Sequence, residues 1–306
     1  MVEKVADFIN DGRLDAKYIA VESEHSALTA VVGAALAGTR VFTATAGAGL
    51  ALMHEIVGVA SGNRLPIVMG VANRALPSPW SLQVDHSDTM AEKDMGWIQL
   101  YASSCQEALD YTLIAYRIAE KVKLPVMVCI DGFYLSHTTE VVELPDQQDV
   151  DKFLPAYERG DIYLDPKNPM TVNQLNSADT FTEIKYSHSE ALNEVINIFP
   201  EVAKEFEEIF GRKHSLCKAL NCEDADTVLV TLGSSSGTAR KVAQEMSVDG
   251  KKIGSLQISS FRPFHKKEVV EVLKNAKSVA VIDRSWALGT DGPLSQEIKS
   301  ALYSAN

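Results

Sequence analysis

The sequence predicts an α/β protein, with a parallel-sheet domain followed by a smaller α/β domain. Three observations carry that reading. Short β-branched runs alternate with helical patterns as far as Leu135, which predicts parallel strands joined by crossover helices. The alternation lapses and restarts near Asp226. The strand runs are also near-continuously apolar, as in a sheet that helices cover on both faces.

In chain order, an amphipathic opening leads to a strand at Tyr18–Val21 and a helix over Glu24–Ala37. Strands at Arg40–Thr45, Ile67–Val71 and Val126–Ile130 frame helices at Ala48–Ser61 and Gln106–Lys121. From Glu140 to Asn176 the chain mixes Pro, Asp, Asn and Gln without a sustained period. An irregular excursion near 140–185 is therefore expected inside a first domain spanning 1–215, closed by a helix over Glu190–Phe210. The boundary falls around 212–226. A second domain, 225–306, then alternates strand Thr227–Gly233, helix Ser234–Gln244, strand Lys252–Ile258, helix Lys266–Lys274, strand Ser278–Ile282 and helix Pro293–Leu302.

A chain of 306 residues suits two domains, and 46% hydrophobic with 23% charged side chains is ordinary globular composition. The 29 basic and 41 acidic side chains give a formal charge of −12, which argues against a protein built to grip nucleic-acid phosphates. Cys105, Cys129, Cys217 and Cys222 contain no C-x-x-C, so zinc and iron–sulfur ligation are not indicated and reduced thiols are expected. The N-terminus lacks the basic and apolar regions of a signal peptide, and apolar stretches such as Leu124–Ile130 fall short of the ~20 residues of a membrane helix. A cytoplasmic protein with no membrane partner is expected.

In a parallel sheet the ligand site is expected beyond the carboxyl ends of the strands, and the candidate motifs stand there. Gly47-Ala-Gly-Leu-Ala-Leu-Met-His-Glu55 joins a strand to a helix, but Leu52 stands at the third glycine position of a dinucleotide fingerprint. Glycines that permit a tight turn close to another group are the better reading. Gly233-Ser-Ser-Ser-Gly237 makes a similar turn and could hold an anion at a helix N-terminus. In Val21-Glu-Ser-Glu-His-Ser-Ala27, Glu24 falls in the first turn of a helix, as a capping acid or as a functional carboxylate. His25 has no partner spaced for a metal site. Arg74 ends an apolar strand where a guanidinium could hold a substrate carboxylate bidentately, or pair with a local acid. Asp85, His86 and Asp88 suit either a site wall or, preferably, turn chemistry.

Several of these segments, in this order, resemble the α subunit of pyruvate:ferredoxin oxidoreductases: VESEHSA, TATAGAGLALMHE, GVANRAL, DHSDTM, and Asp131-Gly132-Phe133 followed by Ser136-His137. Thr227–Ala239, Phe261-Arg-Pro-Phe264 and Val281-Ile-Asp-Arg284 resemble the family's next domain, so the likeness spans nearly the whole chain. The resemblance implies oxidative decarboxylation of a 2-oxoacid on thiamine diphosphate, with coenzyme A as acyl acceptor and ferredoxin as electron acceptor. It implies a pyrimidine-binding first domain and a transketolase C-terminal-like second domain. A β subunit would hold the diphosphate and its magnesium, and γ and ferredoxin-like δ subunits the iron–sulfur clusters, with no cluster and no metal in this chain. Glu24 matches the glutamate on N1′ of the aminopyrimidine, Gly47 and Gly49 the cofactor-side turn, and Arg74 the arginine facing the substrate carboxylate.

Pyruvate is the expected substrate, with branched-chain 2-oxoacids, 2-oxoglutarate and oxalate behind it. Relative to the family, a first strand, a threonine-bearing loop and a C-terminal end are expected beyond this chain. A non-catalytic assembly subunit is the alternative from another class, and a nucleotide-binding module at either glycine turn a more distant one.

Overall fold

The computed structural model describes residues 2–160 and 163–304. Helix α1 (Val2–Asn10) and helix α2 (Glu24–Leu36) precede β1 (Val41–Thr45), α3 (Ala48–Leu52), α4 (His54–Gly62), β2 (Ile67–Asn73), α5 (Ser87–Ala91), β3 (Ile98–Ala102), α6 (Cys105–Val122) and β4 (Val126–Asp131). The excursion holds α7 (Gln147–Phe153) and leads into the 33-residue α8 (Ala178–Phe210). The second unit follows as β5 (Cys217–Leu220), β6 (Thr227–Leu232), α9 (Ser235–Val248), β7 (Ile253–Ile258), β8 (Ser260–Arg262), α10 (Lys266–Leu273), β9 (Ser278–Ile282) and α11 (Pro293–Tyr303).

The first sheet has the order β1-β2-β4-β3-β8, with β1 to β4 mutually parallel. Side chains alternate across it. Ile67, Met69, Met127 and Cys129 face a core shared with Leu28, Leu50 and Val57. Val68, Val126 and Val128 face Ile114, Ile118, Phe199 and Phe206 on the other side. Helices thus cover both faces, as continuous apolar runs require.

The second sheet has the order β5-β7-β6-β9, with only β5 antiparallel. The two units are stitched together by β8. It follows β7 directly yet crosses to the edge of the first sheet, pairing Gln99 with Arg262 and Leu100 with Ser260. Phe261 then packs edge-on against Tyr101, with ring centroids 6.4 Å apart.

Three elements depart from expectation. Tyr18–Val21 forms no strand. Its backbone finds no neighbouring strand among the described residues, and Ile19 stays 63% exposed. A β-prone run without a ladder partner leaves its polar groups to water. The helix expected over Ala48–Ser61 breaks at Met53, whose side chain is buried in the core while α4 begins afresh at His54. Helix α8 starts at Ala178, so 178–185 is helical and not irregular. Phe181, Ile184 and Tyr186 are exposed there, which leaves no buried stripe to read. Strands β3, β5 and β8 were not anticipated. The last two are only four and three residues long.

The segment after α8 is pinned to α6 by a buried ion cluster. Arg212 grips Asp110 with two bonds of 2.8 Å, while His214 Nε2 lies 3.0 Å from the same carboxylate. Burial opposes ionisation, but the bonds from His214 and Arg212 hold the Asp110 carboxyl at about 2 against an ordinary 3.8. A depressed carboxyl stabilises the fold above its unfolded pKa and loses that contribution as pH falls through its folded pKa. Acid unfolding should therefore show a loss of about 2 kcal/mol between roughly pH 4 and pH 2. Asp110→Asn, compared by denaturant titration at each pH, should lack that component.

Candidate functional site

Strands β1, β2 and β4 stop at Thr45, Asn73 and Asp131, side by side on one edge of the sheet. Every candidate residue gathers there. Helix α2 is capped by Ser23, whose hydroxyl accepts the Ser26 N–H at 3.3 Å, and the Ser26 hydroxyl in turn donates to Glu22. These two residues do the capping, which leaves Glu24 free in the first turn. His25 turns aside toward Glu55 at 3.6 Å.

Glu24 reaches Gly49. A Cβ on Gly49 would stand 3.0 Å from Glu24 Oε1 and 2.6 Å from Thr45 Oγ1. The missing side chain thus forms a cradle between a carboxylate and a hydroxyl, and that hydroxyl is buried without a hydrogen-bond partner. A polar heterocycle fits such a donor set.

Two residues earlier, Gly47 lies at φ 53° and ψ −120°, a backbone region open essentially to glycine alone. Its bare Cα accommodates Arg74, whose Nε would be 2.7 Å from a Cβ there. Asp88, 1% exposed, accepts the N–H of Gly47 at 3.0 Å and that of Arg74 at 3.1 Å on Oδ2. Its Oδ1 accepts from Asn73 Nδ2 and the Thr89 N–H, both at 2.8 Å. Burial pushes the Asp88 carboxyl up against the pull of those four donors.

Of the loop residues for which turn chemistry was the preferred reading, only Asp85 behaves that way, accepting the Ser87 N–H at 2.6 Å. Asp88 links two strand ends instead. His86 links two domains, because its Nε2 lies 2.7 Å from Asp131 Oδ1 and its N–H donates to the Arg284 carbonyl at 2.9 Å. Asp131 Oδ2 also accepts from the Ser234 N–H at 2.9 Å, from its hydroxyl at 2.6 Å and from Arg284 at 3.1 Å. The group that meets the Gly233–Gly237 turn, which could have held an anion, is thus a carboxylate of the first domain. Burial works against its charge, but the bond and charge of His86 and the Ser234 donors hold the Asp131 carboxyl below the usual carboxylate range.

Arg74 does not pair with a local acid among the described residues, and Asp131, at the end of the neighbouring strand, is bonded to His86 and Arg284. Its guanidinium is half-buried at the side of a shallow cleft of about 10 Å³ lined by Ala48, Ala75, Pro77, Trp80 and Leu82. Sequence reasoning singled out Glu24, Arg74, Gly47 and Gly49 but passed over Thr45 and Asn73. A signal existed for Asn73 and Asp131, since each is a polar side chain closing an otherwise apolar strand.

Fold and site together define a two-domain α/β chain in which a carboxylate and an arginine converge on one glycine turn at the carboxyl edge of a parallel sheet. Residues 1–204 match the model of the pyruvate flavodoxin/ferredoxin oxidoreductase thiamine diphosphate-binding domain, and 225–306 that of pyruvate:ferredoxin oxidoreductase core domain II. The chain belongs to the pyruvate:ferredoxin oxidoreductase family. It is 49% identical to pyruvate synthase subunit PorA of Methanocaldococcus jannaschii, over 98% of this chain and 79% of the relative. The figures for the Thermotoga maritima PorA are 50%, 99% and 78%. Ketoisovalerate oxidoreductase subunit VorA of Pyrococcus horikoshii is 43% identical over 99% of this chain and 77% of its own length. Among solved structures, the Magnetococcus marinus 2-oxoglutarate:ferredoxin oxidoreductase superposes with a TM-score of 0.74 at 19% identity, covering 98% of this chain and 54% of that one. A split-gene transketolase superposes at 0.52 and 12%, over 92% of this chain and 69% of its own. These two likenesses concern the fold alone.

Gly47→Ala should destabilise the chain by about 1–3 kcal/mol through backbone strain, and more where the new Cβ meets Arg74. Thermal unfolding against the unchanged chain measures it. A variant as stable as the parent would show that the turn relaxes without cost.

Proposed function

We propose that this chain is the α subunit of a thiamine-diphosphate-dependent pyruvate:ferredoxin oxidoreductase, in which pyruvate, coenzyme A and oxidised ferredoxin yield acetyl-CoA, carbon dioxide and reduced ferredoxin. One observation carries the reading. Glu24 and Arg74 converge on the two glycines of a single turn, Gly49 and Gly47, so a cofactor group and a substrate acid would meet there. The PorA relatives, named as subunits of pyruvate synthase, support pyruvate as the acid. The VorA relative keeps branched-chain 2-oxoacids as the second choice.

In this proposal residues 1–215 form the pyrimidine half of the cofactor site and 225–306 the transketolase C-terminal-like domain, supported by family matches over 1–204 and 225–306. A β subunit holds the diphosphate and magnesium, and γ and δ subunits carry the iron–sulfur clusters to ferredoxin. A cytoplasmic setting suits four cysteines that are all free.

Glu24, Thr45 and Gly49 are the residues that would hold the aminopyrimidine. When bound, thiamine diphosphate supplies an electron sink for the pair released as carbon dioxide leaves. Glu24 holds a proton at N1′ of the ring, an ionised carboxylate being the stronger acceptor for that N–H. Thr45 has a hydroxyl without a partner to offer. Gly49 lets the Glu24 carboxyl and the Thr45 hydroxyl close on the turn, since a side chain there would push both away. Arg74 orients the substrate carboxylate, and a moderate grip serves best because too firm a hold would stabilise the ground state. Pro77, Trp80 and Leu82 stand beside Arg74 as exposed apolar surface.

Glu24→Gln in the assembled complex should lower pyruvate-dependent acceptor reduction by roughly two to four orders of magnitude. Unchanged turnover would remove Glu24 from the mechanism. Arg74→Ala should raise the KM for pyruvate by roughly 10- to 100-fold, the loss of one charge-assisted contact. Full activity in both variants would favour an assembly subunit.

A further inference from the structure

We propose that Asp88 is a positioning residue for the substrate-binding arginine, fixing the Arg74 backbone against the Gly47 turn and so setting where the guanidinium stands. The proposal rests on the reading of Arg74 as the group that receives the 2-oxoacid carboxylate.

The connection is direct. Gly47 and Arg74 follow the ends of adjacent strands, where the β1–β2 ladder has run out after Thr45 and Val71. Their N–H groups have no strand to meet, and one oxygen of Asp88 accepts both, at 3.0 and 3.1 Å. The same two residues touch through their other atoms, since the Arg74 side chain lies over the bare Cα of Gly47. A shift of Asp88 would move the peptide that carries Arg74 and the surface on which its side chain rests.

Asp88 is itself held. Asn73 Nδ2 and the Thr89 N–H take its second oxygen, and two residues upstream His86 is fastened to Asp131 and to the Arg284 carbonyl. The second domain therefore steadies the loop from which Asp88 acts.

The chemistry is unusual for a residue that only fills a core. Its carboxyl meets four hydrogen-bond donors and, among the described residues, no side-chain cation, an expensive way to occupy buried space. A carboxylate offers about four acceptor sites, and here each has a donor. No apolar side chain could gather two strand ends in this way.

The test uses the assembled complex and compares Asp88→Ala with Asp88→Asn. Asparagine keeps an oxygen for Gly47 and Arg74 and gives up only the oxygen that accepts from Asn73 and the Thr89 N–H. Asp88→Ala should raise the KM for pyruvate roughly tenfold or more, leave those for coenzyme A and ferredoxin in place, and add nothing further on an Arg74→Ala background. Asp88→Asn should recover most of the loss.

Equal changes in all three KM values, or full additivity with Arg74→Ala, would overturn the proposal and leave Asp88 a purely structural residue. If the alanine chain fails to assemble, Asp88→Ser takes its place, because its hydroxyl can still accept from one of the two strand ends. A serine chain that also fails counts against the proposal. Arg74→Ala without effect on pyruvate KM would overturn the reading of Arg74 itself. An effect there with none from Asp88→Ala overturns only the role of Asp88.

Discussion

A parallel strand ends in backbone N–H groups that its neighbours cannot take, and whatever accepts them decides how the edge of the sheet is built. In this protein two buried carboxylates accept them. Asp88 gathers the chain after β1 and β2, and Asp131, at the end of β4, takes the chain that follows β6 in the second domain. Both are withdrawn from water, at 1% and 0% exposure, so no solvent molecule is at hand to replace either one. Burial acts on both but does not win in both. It pushes the Asp88 carboxyl up, whereas around Asp131 the His86 ring and the Ser234 donors outweigh it. Asp131 can therefore carry a full charge across a domain boundary, and the second domain is placed by electrostatics as well as by the apolar seam at Phe261.

The same physics explains two glycine turns that look, in the sequence, like loops for a free anion. A tight turn at a helix start presents N–H groups to any negative group within reach, whatever its source. At Gly47 and Gly233 that group belongs to the protein. A Cβ on Gly233 would lie 2.5 Å from Asp131 Oδ1, so the absent side chain is what lets the carboxylate in. Capacity for an anion was legible in Gly233-Ser-Ser-Ser-Gly237. The anion was not, because Asp131 lies about a hundred residues earlier in the chain. Neither turn remains open to a nucleotide phosphate.

What could be read in advance follows the same division between local and distant causes. The apolar runs of β1, β2, β4, β6, β7 and β9 and the periods of α2, α6, α9, α10 and α11 are local facts, and they fold as expected. Tyr18–Val21 has the composition of a strand, but pairing is a property of two segments and no partner lies beside it. Strand β8 is three residues long and owes its existence to the exposed edge of β3. At the site, Glu24 and Arg74 were legible as a carboxylate and a guanidinium at strand ends, each with an ordinary alternative. The bonds observed run through other residues: the Ser23 hydroxyl makes the cap of α2, and Arg284 pairs with Asp131. The roles of Glu24 and Arg74 came from family resemblance, and Thr45 drew no notice because an unpartnered hydroxyl exists only in three dimensions.

Two arginines stand close to Asp131, and their different fates bear on what the edge can do. Arg284 lies 3.1 Å from its carboxylate and 4.6 Å from the centre of the Tyr134 ring, a position that neutralises it within the fold. Arg74 starts beside the end of β4, where a Cβ on Gly132 would be 3.7 Å from its own Cβ, but its side chain runs over Gly47. The Gly132 N–H donates to the Asn73 carbonyl at 2.9 Å, fixing the end of β2 against β4. Asp88 then holds the Arg74 peptide from the other side. An arginine anchored through an acidic side chain would meet an incoming carboxylate already neutralised. Anchored through its backbone, Arg74 keeps a half-buried guanidinium that is bonded to no acidic side chain among the described residues. Orientation and charge are supplied by different atoms of one residue, so anchoring the backbone leaves the guanidinium free for the acid proposed as its ligand.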